Sequence, residues 1–133
     1  MKLVQDDSLG KLILRLTLGI LMLFHGVAKM MNPDSLGFIS GMLQGADLPV
    51  ELAYGVYVGE VLAPLLLILG IFSRTAGLII TINMLFALWL AHTADIFTIT
   101  PQGGWGLELQ GFYLFCGLAI VFLGSGRYAA KPG

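Results

Sequence analysis

Five ionisable side chains, His25, Lys29, Glu60, His92 and Glu108, stand inside or at the rim of long apolar runs. Imidazoles and carboxylates are the usual proton carriers of catalysis, and His changes charge near neutral pH. A charged group at mid-bilayer costs roughly 2.5–3.5 kcal/mol on insertion scales, so such residues face partners, water or a ligand. Threaded through a bilayer in order, all five fall toward the same outer side. That convergence predicts a one-sided polar site.

Glu60 stands near the middle of its run, with Pro64 four positions on. Pro64 has no N–H for the Glu60 carbonyl and its ring crowds it, so a kink is expected there. Two readings of Glu60 stand open: a working carboxylate, or a structural Glu–Lys or Glu–His pair joining two helices. Gly55, Gly59 and Ala63 form a ridge of small residues beside it, suited to close helix contact. In the first run, Arg15, Leu18, Gly19, Met22, His25, Gly26 and Lys29 share one helical stripe. Gly19 and Gly26 would let a second helix approach, and His25 is expected within direct or one-water contact of Glu60. Arg15 and Lys29 are each close enough to an end to snorkel, whereas His25 is not.

In the third run Asn83 and His92 are half a turn out of phase, so both cannot point into one cavity. His92 is placed with the site and Asn83 in an interhelical hydrogen bond. Glu108 shares a face with Gly111, Phe112, Phe115 and Phe122. Its alternative is a solvated acid at the boundary. Two histidines and two carboxylates suit a metal in type, but they come from four separate runs with no His-x-x-x-His or Glu-x-x-His spacing, and no metal is assigned. No Walker loop, dinucleotide glycine fingerprint or CxxCH haem site occurs.

The elements that must position these residues follow from composition. Of 133 residues, 57% are hydrophobic and 11% charged, against about 25% charged in soluble domains, so a water-facing surface is excluded. A helix needs about 20 mostly apolar residues to cross the hydrocarbon core. Windows 12–31, 52–72, 75–94 and 109–126 qualify, which predicts a single all-α domain over 1–133, an integral-membrane four-helix bundle. Residues 35–48 are weakly amphipathic and expected to form a short helix on the external interface. Residues 70–75 leave room only for a tight reversal. Lys2, Lys11, Arg15, Arg74, Arg127 and Lys131 gather on one side, whereas the two longer connections carry Asp34, Asp47, Glu51, Asp95 and Glu108. By the positive-inside rule both termini are cytoplasmic.

Gly26-Val27-Ala28 faintly suggests a cleavage site, but Asp6, Asp7 and Arg15 argue for a retained first span. A single cysteine, Cys116, excludes an intramolecular disulfide or a Cys-x-x-Cys redox pair, so redox chemistry would need a bound cofactor. A net charge of −1 without a basic patch gives no support to nucleic-acid binding.

Arg15 followed by His25-Gly26-x-x-Lys29, Glu60, Leu69-Gly70-Ile71-Phe72-Ser73-Arg74, His92, Gly103-Gly104-Trp105 with Glu108, and Leu123-Gly124-Ser125-Gly126-Arg127-Tyr128 resemble the DoxX family over nearly the whole chain. The resemblance implies a small, multi-pass protein of the bacterial inner membrane with four helices. It carries His25, Lys29, Glu60, His92 and Glu108 as the candidate site. The family takes its name from a subunit of an archaeal thiosulfate:quinone oxidoreductase, other members are linked to redox or detoxification complexes, and distant animal relatives act in receptor assembly.

Three functions compete. In the first, a membrane oxidoreductase component admits a quinone or small organic ligand between its helices, with His25, Glu60 and His92 as proton-transfer or ligand contacts. Nothing in the chain holds electrons, so a bound quinone, flavin or partner subunit is required. In the second, the pocket recognises a lipid, a metabolite or another membrane chain without chemistry, in a complex or a homo-oligomer. The third, a small transporter, ranks last because only Arg15 and Arg74 lie at the cytoplasmic level.

Overall fold

The computed structural model describes residues 5–91 and 93–131. Helix α1 runs Asp7–Met31, capped by the Asp6 carboxylate accepting from the Leu9 N–H. Asn32 ends α1 and caps α2, Pro33–Gly45, by accepting from the Asp34 N–H. One side chain thus serves both helices, and α2 folds directly back from the end of α1. Helix α3 spans Val50–Leu69, helix α4 Ser73–Ala91, and helix α5 Glu108–Leu123. Among the described residues the only β pairing is an isolated bridge between Ile99 and Trp105 in the α4–α5 loop.

Helix α3 changes winding along its length. Val50–Tyr54 is a 3-10 turn, Gly55–Tyr57 is α, Val58–Leu62 is π-helical and Ala63–Leu69 returns to α. The π segment falls where a kink is expected from Pro64. Wider winding, with the Ala63 N–H reaching back to the Val58 carbonyl, accommodates a residue that cannot donate to Glu60. Gly70 then closes the helix at φ 77°, and the Leu66 carbonyl accepts from both Gly70 and Ile71. A side chain on Gly70 would be strained by that φ and would also strike Ala129 and the Arg15 guanidinium.

Close approach organises the packing. Gly19 and Gly26 of α1 sit against the Pro64 and Glu60 carbonyls of α3, and Gly77 of α4 meets Gly117 of α5 backbone to backbone. Around them Met22, Leu67, Ile80, Met84, Leu114 and Ile120 form the buried core. Among the described residues three helices are long and apolar enough to cross a membrane: Asp7–Met31, Val50–Leu69 and Ser73–Leu90. Most of their residues are not buried within the bundle, and Phe24, Met30 and Ile82 present an apolar exterior, as lipid contact demands. Helix α5 is apolar but has 16 residues, fewer than the about 20 of a full span. It stops short of the window 109–126 because Gly124 turns to φ 77°.

At the end opposite α2, Arg15 departs from expectation. It does not snorkel; it is 1% exposed. Its guanidinium donates to the carbonyls of Ser125 (3.0 Å), Leu67 (2.6 Å) and Tyr128 (2.5 Å). The segment after α5 folds back over this end, with the Ala130 and Lys131 N–H groups donating to the Leu69 and Gly70 carbonyls. The Ser125 hydroxyl donates to the buried Ser73 hydroxyl. An Arg fork matches such convergent acceptors, so burying it there satisfies more groups than extending it to water would.

Candidate functional site

Where α1, α3 and α4 meet near α2, three polar side chains form one cluster. The Lys29 ammonium donates to both Glu60 carboxylate oxygens, at 2.6 Å to Oε1 and 2.8 Å to Oε2. The Asn83 Nδ2 amide donates to Oε2 at 3.3 Å. Local structure explains each position. Lys29 lies in the last turn of α1, where a cation also complements the helix dipole. Glu60 is held in the π-helical turn, and its own carbonyl is pressed onto Gly26, where a methyl group would overlap it. Asn83 reaches Glu60 across Gly59, and a side chain on Gly59 would strike the amide.

The pair is unequal in exposure. The Glu60 side chain is 4% exposed and that of Lys29 34%. Lys29, Glu60 and Asn83 form the polar part of a cleft of about 740 Å³, walled by Phe38, Ile39, Met42 and Leu43 of α2, Leu52 and Val56 of α3, and Ile79, Ile82, Phe86 and Leu90 of α4. Asn32, Asp34 and Ser35 line it at the α1–α2 junction. Phe38, Ile82 and Phe86 are themselves exposed, so the cleft opens sideways between α2 and α4 onto the apolar exterior. Helix α2 is therefore the wall of a cavity.

Of the five residues singled out in the sequence, Lys29 and Glu60 come together. His25 does not join them. It is exposed, and its ring meets the Tyr113 ring edge-on at 5.6 Å and 81°. Among the hydrogen bonds of the described residues, Glu60 receives from Lys29 and Asn83 rather than from His25. The buried stripe of α1 is Arg15, Leu18, Gly19, Met22 and Gly26, and His25 sits about 75° to one side of its centre at 100° per residue. Glu108 is exposed in the first turn of α5 and lines a separate groove of about 430 Å³ with Trp105, Phe112 and Cys116. His92 lies outside the described residues. Asn83 was placed by sequence in an interhelical hydrogen bond. It makes one, and its acceptor is the site carboxylate.

Chemically, the cluster is a neutralised ion pair with spare hydrogen-bond donors beside an apolar chamber. Such a chamber suits an apolar body with a small polar head. A family model described as DoxX matches residues 10–93. The match contains α1 to α4 and the Lys29–Glu60–Asn83 cluster, and it stops before Glu108. An uncharacterized protein of Haemophilus influenzae is 32% identical over 120 residues, covering 87% of this chain and 84% of that protein. No solved structure matches the chain.

Proposed function

The chain belongs to the DoxX family, and from that premise we propose that it binds a lipophilic small molecule, a quinone or a similar organic ligand, in the α2–α4 cleft as a component of a membrane oxidoreductase system. The observation that carries this reading is the partly exposed Lys29 ammonium at the polar end of an apolar cleft of about 740 Å³. A bound quinone would supply the electron-carrying chemistry that no side chain here offers. The chain's own part is to orient the head group through Lys29 and Asn83, to hold Lys29 through Glu60, and to keep water from the apolar walls. A redox partner subunit completes the system, because a lone cysteine provides no dithiol. A second reading, ligand binding without chemistry in an assembly protein, is favoured by the fact that Glu60 is saturated within the protein and nearly unexposed.

In this proposal α5 is the fourth span, both termini are cytoplasmic and the membrane is the bacterial inner membrane. Lys11, Arg15, Arg74, Arg127 and Lys131 belong to the end where the termini meet, whereas Asp34, Asp47, Glu51 and Glu108 belong to the other, which supports that orientation. On a Cys116→Ser background, an impermeant thiol reagent applied to intact cells should label Gln102→Cys and not Thr75→Cys. The reverse pattern rejects the orientation.

The ligand reading is tested by mass spectrometry of gently purified protein alongside its melting temperature. Lys29→Met combined with Glu60→Leu removes both charges together and strands neither. The double variant should fold and lose the co-purified ligand. If the bound-ligand content is unchanged, the cleft is not the binding site.

A further inference from the structure

The donor and acceptor inventory of the cleft goes further than its shape. Resting on the ligand reading above, we propose that the cleft selects a lipophilic ring whose head is a neutral carbonyl over the same ring bearing hydroxyls, and over an anionic head, with Lys29 as the contacting residue and Glu60 as the residue that positions it.

An ammonium has three N–H groups, and two of those on Lys29 go to the Glu60 oxygens, leaving one. A carboxylate only accepts, so Asn83 presents its amide nitrogen to Glu60 and keeps a second N–H, while its oxygen stands against Gly59. Glu60, the one strong acceptor of the cluster, already receives three hydrogen bonds and is 4% exposed. A ligand at the polar end of the cleft therefore meets N–H groups. A carbonyl oxygen satisfies them. A hydroxyl accepts more weakly and brings its own O–H, whose nearest strong acceptor, Glu60, is already engaged, leaving only the Asn83 amide oxygen beside Gly59 and the acceptors of Asn32 and Asp34 at the exposed α1–α2 junction. Asp34 also lines the cleft, exposed on α2.

Charge excludes the other competitor. Lys29 contributes +1 to the lining, and Glu60 and Asp34 contribute −1 each, so the sum +1 − 1 − 1 leaves the cleft at −1. A fatty carboxylate would fit the walls and be repelled at the head. Without Glu60 the lining would sum to zero, and the repulsion of an anionic head would be lost.

The test uses the full chain in lipid nanodiscs, with empty nanodiscs correcting for partition into lipid. Three probes share a ten-carbon tail: a decyl-substituted 1,4-benzoquinone, its hydroquinone prepared anaerobically with dithionite, and decanoate. The benzoquinone should bind about tenfold more tightly than the hydroquinone, the gain expected of a charge-assisted hydrogen bond, and decanoate should bind weakest. A tenfold preference for the oxidised form lowers the midpoint potential of the bound two-electron couple by about 30 mV. Lys29→Met should erase the preference by weakening benzoquinone binding. Glu60→Gln should raise decanoate affinity, an outcome that a purely structural Glu60 would not produce. If either variant fails to fold, the comparison of probes on the unaltered protein still decides. Hydroquinone or decanoate binding as tightly as benzoquinone overturns this inference and leaves the ligand reading standing. Binding of none of the three overturns both.

Discussion

Helix α1 carries two basic residues on one stripe, Arg15 and Lys29, about 21 Å apart at 1.5 Å per residue, and the two ends of the bundle treat them differently. Arg15 is fully buried, donates to three backbone carbonyls in two segments and touches no carboxylate among its described partners. Lys29 is a third exposed, forked onto one carboxylate and next to a cavity. A cation enclosed by carbonyls at 1% exposure leaves no room for a visitor. A cation held from one side by a buried acid is fixed in place with a donor to spare. Burial of charge alone does not mark a site; residual valence beside empty volume does.

Substitutions can break this contrast in graded steps. Arg15→Met should have the largest effect on stability. Each stranded carbonyl costs about 1–3 kcal/mol, so a loss of about 3–5 kcal/mol is expected, read as a fall in yield and in detergent melting temperature. Arg15→Lys should recover only part of it, because an ammonium lacks the planar fork. Gly26→Ala comes next, at about 2–3 kcal/mol, because the Glu60 backbone rather than a flexible side chain is what it strikes. Its effect should reach the ligand as well, by displacing Glu60 and hence Lys29. Asn83→Ala should cost about 1 kcal/mol, one hydrogen bond at 3.3 Å, and loosen ligand retention more than it lowers the melting temperature. Of similar size, Lys29→Met with Glu60→Leu should cost about 1 kcal/mol, since replacing both members of a buried pair by apolar groups is often neutral and the remaining loss is the hydrogen bond from Asn83. If that double variant proves as unstable as Arg15→Met, the Lys29–Glu60 pair is a scaffold like the Arg15 clasp and the contrast fails.

Sequence alone carried the apolar helices, because their signal is local and long, and it carried Lys29 and Glu60, because a charge in an apolar run stands out at any helical phase. It also carried the close approach at Gly19 and Gly26. What it misjudged depended on phase or distance. His25 was drawn into the stripe by its heptad spacing from Leu18, which leaves it only about 20° beyond the stripe's edge on an ideal wheel. Asn83 was set apart from the site by its phase relative to His92, a comparison that assumed a shared cavity. Pro64 announced a local disturbance, but whether the chain would bend or widen into a π turn depends on the neighbour packed against it. The acceptors of Arg15 lie 52, 110 and 113 residues away, beyond any local pattern. Helix α2 read as a surface element because its weak amphipathicity gives no hint that one face closes a chamber.

The clasp on Arg15 also imposes an order on assembly. Two of its acceptors, the carbonyls of Ser125 and Tyr128, are synthesised more than a hundred residues after it. Through most of translation the first helix sits in or near the bilayer with its guanidinium incompletely answered, free to slide toward the headgroups. Only when the segment after α5 folds back over the Leu69–Gly70 turn does drawing that charge inward become favourable. The late segment thus works as a completion signal, fixing the depth of α1 and, 14 residues further along the same rigid helix, the height at which Lys29 meets Glu60.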